Sequence, residues 1–190
     1  MTSAPRFLTP HEHATLAAAA ERLIPATGDH PGASAGGAAD YVDGLLGAFT
    51  VDPPLVYAGG PFSGRAGGPA GFAEFSALSP LEELAWRTRI EGSQGLAARE
   101  FNGPVVGLQE RYRSGIAGLG DDFTAVDGDE QDRRLAAVPA FRDLLYEHAC
   151  EGLYGAPEYG GNPDGTVWRA IRFPGDVQPR GYTDDEVTGA

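Results

Sequence analysis

His148 and Glu151 stand one helical turn apart, a spacing that lets an imidazole and a carboxylate share a proton as an acid–base pair or orient each other at an interface. His148 also shares a stripe with Leu144 and Leu145, which suits a histidine buried and hydrogen-bonded in a core. His11 and His13 flank Glu12, but residues two apart on a helix point in different directions. A di-iron bundle needs two Glu-x-x-His units, and no glutamate here is followed three residues later by histidine. The single cysteine, Cys150, excludes an internal disulfide framework, a Cys-rich zinc site and a protein-held iron–sulfur cluster, and it reads as a small buried hydrophobe. All the basic side chains are arginines, so neither a P-loop lysine nor a Schiff-base amine exists. Gly59-Gly60-Pro61-Phe62-Ser63-Gly64 lacks the G-x-G-x-x-G spacing and follows no strand, and no G-x-S-x-G elbow occurs. On these grounds the chain is expected to hold no cofactor and no metal, while His148 and Glu151 stay open between an acid–base pair and a buried structural histidine beside a carboxylate.

Charge narrows the partners. Fourteen arginines against 27 Asp and Glu give a net charge of −13 over 190 residues. Such a surface repels phosphate backbones and anionic lipid, so nucleic acid is not expected as a partner. The longest largely apolar run, Ala14 to Ala20, stops at Glu21 and Arg22, far short of the ~20 residues that span a bilayer, so no direct membrane insertion is expected. The start of the chain carries neither an apolar signal region nor twin arginines, which points to the cytoplasm unless an exported partner carries the chain with it.

The elements that must position these residues read as helices. Thr9-Pro10-x-Glu12 and Ser79-Pro80-x-Glu82 are capping-box starts. Leu16, Ala20, Leu23 and Ile24 form the first stripe, closed by Pro25. A Gly/Pro-rich bend spans 27–37, and Ala38, Tyr41, Val42, Leu45, Leu46 and Phe49 predict a second helix to Phe49. A third follows Ser79 to about Glu91, a fourth opens at Pro104, a fifth has Asp129 and Glu130 at its positive end, and the last long one starts at Pro139. Residues 51–78 form a long loop, with aromatics Tyr57, Phe62 and Phe72 among the glycines, that is expected to be ordered against a surface. No period-2 run of strand length occurs. The expected fold is mainly α, about six helices in one domain spanning 1–190, with long Gly/Pro-rich loops and an irregular, extended C-terminal arm over 156–190 whose apolar anchors are Trp168, Ile171 and Phe173.

One stretch of that arm and the helix before it combines rigidity with aromatic surface: His148, Glu151, Gly152, Tyr154, Gly155, Pro157, Glu158, Tyr159, Gly160, Gly161 and Asn162, followed by Trp168 and Phe173-Pro174-Gly175. Aromatic side chains on a stiff backbone bury large area with little entropy to lose, so the stretch suits docking. Its residues at this spacing resemble the C-terminal signature of the gluconate 2-dehydrogenase subunit 3 family. The N-terminal runs Phe7-Leu8-Thr9-Pro10, Glu21-Arg22-Leu23-Ile24-Pro25 and Pro31-Gly32-Ala33 resemble the same family.

The resemblance implies a small non-catalytic subunit that binds, stabilises and helps mature a large FAD-dependent dehydrogenase of the glucose–methanol–choline class, acting on sugars, sugar acids or other alcohols. A cytochrome c subunit often completes such complexes. FAD and the catalytic histidine then belong to the large subunit. Many members carry a twin-arginine signal that exports the pair; its absence here implies that the partner carries its own signal or that the complex works in the cytoplasm. The candidate partner interface is His148, Glu151, Tyr154, Pro157, Glu158, Tyr159, Gly160, Gly161, Asn162, Trp168, Phe173, Pro174 and Gly175, with the loop 57–72 beside it. Two other readings compete: a self-sufficient enzyme using His148 and Glu151 as its acid–base pair, and a chaperone or binding module released once the partner has folded.

Overall fold

A computed structural model describes residues 6–54, 56, 77–175 and 185. Among the described residues the chain forms eight α-helices and no strand: α1 (Pro10–Leu23), α2 (Gly32–Ala35), α3 (Ala38–Leu46), α4 (Pro80–Glu91), α5 (Leu108–Leu119), α6 (Gly128–Ala137), α7 (Pro139–Tyr154) and α8 (Thr166–Ala170). The mainly α fold is the one expected.

Local chemistry starts three of the helices. At α1 the Thr9 hydroxyl accepts from the Glu12 amide at 3.2 Å while the Thr9 amide donates to the Glu12 carboxylate at 2.8 Å. Ser79 and Glu82 repeat that reciprocal cap at α4, and Asp127 accepts from the Glu130 amide at 2.9 Å to start α6.

The differences from expectation have physical causes. The additional helices α2 and α8 have four and five residues, too short to show a periodicity. The second predicted helix stops at Leu46, because Gly47 leads into a separate 3-10 turn over Ala48–Thr50. The helix expected from Pro104 begins at Leu108, since Val105 is held instead by Ser93: its amide donates to the Ser93 hydroxyl at 3.0 Å and its carbonyl accepts from the Ser93 amide at 2.9 Å. Residues 156–175 of the predicted arm carry two 3-10 turns and α8, and the anchor of α8 is the buried Val167, while Ile171 and Phe173 are exposed. The glycine-rich loop 57–72 and the rest of the predicted arm, apart from Asp185, lie outside the described residues.

α1 packs against α2, α3, α5, α6 and α7, and the α3–α7 contact is the most extensive helix pair. Leu16 and Ala20 of α1, Val42 and Leu46 of α3, Tyr112 and Leu119 of α5 and Leu145 and Leu153 of α7 meet in one contiguous core. Tyr112 takes the edge of Phe141 at a centroid distance of 5.6 Å, which ties α5 to α7.

A buried carboxylate joins the N-terminal segment to that core. Asp43 of α3 is 3% exposed and accepts from the backbone amides of Arg6, Phe7 (2.9 Å) and Leu8 (2.8 Å). Three amides that would otherwise lose water without a partner are satisfied by one charged group. Outside it, the Arg113 guanidinium lies 4.3 Å from the centre of the Phe7 ring. Asp43→Ala is expected to lower the unfolding free energy by about 3 kcal/mol, because it strands those donors. Denaturant unfolding monitored by circular dichroism reads the change, and a loss below about 0.5 kcal/mol, the ordinary range for a surface substitution, would contradict it.

Candidate functional site

The last turn of α7 and the segment after it form one wall of a cleft of about 430 Å³. Glu151, Tyr154 and Tyr159 stand on that side; Tyr41 and Leu45 of α3 and Trp86 of α4 face them. Tyr41 donates its hydroxyl proton to Glu151 Oε2 at 2.9 Å. Burial, reinforced by the Glu151 carboxylate, pushes the Tyr41 hydroxyl well above the usual tyrosine range, so the phenol keeps its proton and the bond keeps its direction. Tyr154, 44% exposed, places its hydroxyl 3.2 Å from His30 Nε2. His30 Nδ1 accepts from the Gly32 amide at 3.2 Å, so in the neutral ring Nε2 carries the proton and donates to Tyr154.

The backbone beyond α7 is held by one side chain. Asn162 is fully buried and adopts the left-handed conformation (φ 47°, ψ 53°), which asparagine tolerates better than most residues. Its Nδ2 donates to the Gly155 carbonyl at 3.2 Å, its Oδ1 accepts from the Val167 amide at 2.8 Å, and its own amide donates to the Gly36 carbonyl at 2.8 Å. The end of α7, the first turn of α8 and the end of α2 are thereby tied together. Gly161 beside it lies directly on the Gly152 backbone, where a β-carbon would overlap the Gly152 carbonyl oxygen. From α8, Trp168 donates its indole N–H to the Tyr154 carbonyl at 2.8 Å and receives the Phe173 ring edge-on at 5.1 Å. Gly175 passes over the same indole.

This geometry sorts the residues that the sequence singles out. Glu151 and Tyr154 are exposed, and Tyr159 half-buried, around the cleft; Pro157 and Glu158 share the half-buried 3-10 turn with Tyr159, and Gly160 follows it at the surface. Phe173 and Pro174 are exposed beyond the half-buried Trp168 and Gly175. His148, Gly161 and Asn162 are buried. His148 and Glu151 do not bond to each other: the Tyr112 hydroxyl lies 3.0 Å from His148 Nδ1, with the rings stacked at 5.8 Å, while Glu151 accepts the hydrogen bond of the Tyr41 hydroxyl. Tyr41 and Trp86 belong to the cleft although the sequence reading treats Tyr41 as part of a core stripe and gives Trp86 no role; both come from helices far away in sequence, and their bulk as aromatics is the only signal they offer. Among the described residues no three of His, Cys, Asp and Glu stand together as a metal site, and no helix is long and apolar enough to cross a membrane.

The family model for gluconate 2-dehydrogenase subunit 3 matches residues 10–175, and the chain belongs to that family. It is thus one of a family of subunits of a dehydrogenase complex. Comparisons with curated proteins and with solved structures return no match.

Burial holds the His148 imidazole below its ordinary range, with Glu151 opposing the shift and Arg89 adding to it. The neutral ring therefore accompanies the folded state. Below the unfolded-state value, about 6.5, the unfolded chain takes up a proton that the fold resists, so stability falls as pH drops through that region and is intact above it. Relative to a His148→Gln variant, the wild-type unfolding free energy should decline more steeply between about pH 7 and pH 5. Parallel pH profiles for the two proteins would contradict the assignment.

Proposed function

We propose that this chain is a non-catalytic small subunit that binds, stabilises and helps mature a large FAD-dependent dehydrogenase of the glucose–methanol–choline class, acting on sugars, sugar acids or other alcohols. The observation that carries the reading is the family match over residues 10–175. The geometry supports it in kind. Residues 154–175 are held in one conformation by buried hydrogen bonds while Tyr154 and Phe173 stay 44% and 40% exposed, which is the state of a surface prepared for a partner. Preorganisation matters because each side chain already fixed in its rotamer costs nothing further on association.

The surface that fits the partner runs from the cleft of Tyr41, Trp86 and Tyr159 to the Trp168–Phe173 pair. FAD is assigned to the partner, and a cytochrome c subunit would be a third component acting on the flavoprotein. The acid–base reading of His148 and Glu151 loses its basis, since a different tyrosine engages each of them.

Co-expression with a large flavoprotein of that class, followed by capture on a tag carried by this chain, tests the proposal. The wild-type chain should retain a flavin-containing partner. Tyr159→Ala and Phe173→Ala should each reduce the retained partner by about tenfold, the effect of losing one aromatic anchor. Full retention by both variants would remove these residues from the interface, and alcohol oxidation by the isolated chain would overturn the reading itself.

A further inference from the structure

Arg89 of α4 and Arg111 of α5 line a second cleft, about 760 Å³, and the Arg89 guanidinium also lies 5.3 Å from the centre of the Trp86 ring, which lines the first cleft. Carboxylates outnumber arginines almost two to one in this chain, and Arg22, Arg87, Arg99, Arg134 and Arg142 each hold one at 2.6–2.8 Å. Among the described residues neither Arg89 nor Arg111 has a carboxylate within ion-pair distance. Two carboxylates share the cleft lining, Asp143 and Glu147, and Asp143 is already taken by Arg142 at 2.7 Å. Two guanidinium charges therefore face the cleft against one uncommitted carboxylate. Both arginines share the lining of this cleft with the buried His148.

Val105 and Val106 of the same lining close an ordered loop over residues 92–107. Its ends meet backbone to backbone, and a β-carbon at Gly107 would overlap the Gly92 amide. The Ser93–Val105 hydrogen bonds close it, and Arg99 fills it, with 9% side-chain exposure, bonding the Gly92 carbonyl at 3.0 Å and Glu91 at 2.8 Å. On this pinned frame Phe101 is 92% exposed, and Leu96, Val105 and Val106 are exposed with it. Fraying does not explain such exposure, because the loop is fastened across its base and through its centre.

We infer that this cleft and its loop receive a segment of the dehydrogenase subunit that brings a carboxylate to Arg89 and Arg111 and an apolar pocket to Phe101. The inference rests on the proposed function for the existence of that partner. Charge selects the occupant: a second copy of a chain with net charge −13 repels its twin, whereas the uncommitted arginines call for an acidic group presented from an otherwise apolar surface. α4 and α7 contribute to both clefts, so one partner can cover the two in a single contact.

The test uses the full chain co-expressed with its flavoprotein. The Arg89→Glu/Arg111→Glu double variant and Phe101→Asp should each retain at least about tenfold less partner than wild type, while Arg133→Gln on α6 retains it fully. All these positions are exposed, and the contacts they lose, Arg89 on the Trp86 ring and Arg133 with Glu130, are surface ones, so melting curves should differ little. Should a variant melt early, the salt dependence of the wild-type complex decides the point: retention falling with added NaCl supports the guanidinium contact, and unchanged retention overturns it. Undiminished retention by both variants overturns the inference and leaves the proposed function standing, whereas failure of the wild type to capture any flavoprotein overturns both. A wild-type chain that is dimeric in light scattering, made monomeric by Phe101→Asp with the flavoprotein still bound, assigns the face to self-association and likewise overturns it.

Discussion

Asn162 is the constraint on which the presented surface depends. One buried amide side chain satisfies a carbonyl at the end of α7 and an amide in the first turn of α8, while its backbone reaches the end of α2. No aliphatic residue can replace both a donor and an acceptor at that point, and most side chains resist the left-handed backbone there. Without the clasp, a segment with two turns and a five-residue helix has too little apolar contact to hold its shape, since Val167 is the buried member of α8. The aromatic residues outside it inherit their positions: Trp168 reaches the Tyr154 carbonyl because α8 is docked, and Phe173 packs on Trp168 because the chain turns back at that place.

The tyrosines perform a related service within the bundle. Tyr41 and Tyr112 each engage one polar atom, Oε2 of Glu151 and Nδ1 of His148, two groups whose spacing on α7 suggests acid–base chemistry. Each hydroxyl is protonated over the whole physiological range, because burial opposes the phenolate. The two α7 side chains thus become structural ties from α7 to α3 and α5. A subunit that supports another protein's chemistry needs such ties more than it needs a reactive pair.

What could be read from the sequence is what short-range chemistry determines. Thr9 and Ser79 announce their helices because the capping box lies within four residues, and the apolar stripes of α1, α3 and α7 mark the faces that meet in the core. The C-terminal block is legible as a functional region because rigid glycines and aromatics crowd together there. Its internal division is not: Asn162 and Tyr159 look alike as polar residues in a turn, and only folding shows one buried and the other beside a cleft. The partners of Glu151 and His148 lie 110 and 36 residues away, so no local pattern could pair them. Phe101 was equally silent, because full exposure of a phenyl ring is a property of the pinned loop and not of its neighbours in sequence.

These features describe a helical bundle whose C-terminal segment is fastened by hydrogen bonds to α2, α7 and α8, as the proposed docking role requires. Hydrogen exchange, compared between the isolated chain and the chain in complex with the other subunit of the dehydrogenase, tests that directly. The account requires the backbone amides of residues 154–175 to exchange more slowly in the complex, while those of α6 stay unchanged. A complex that forms with no added protection across 154–175 would contradict it.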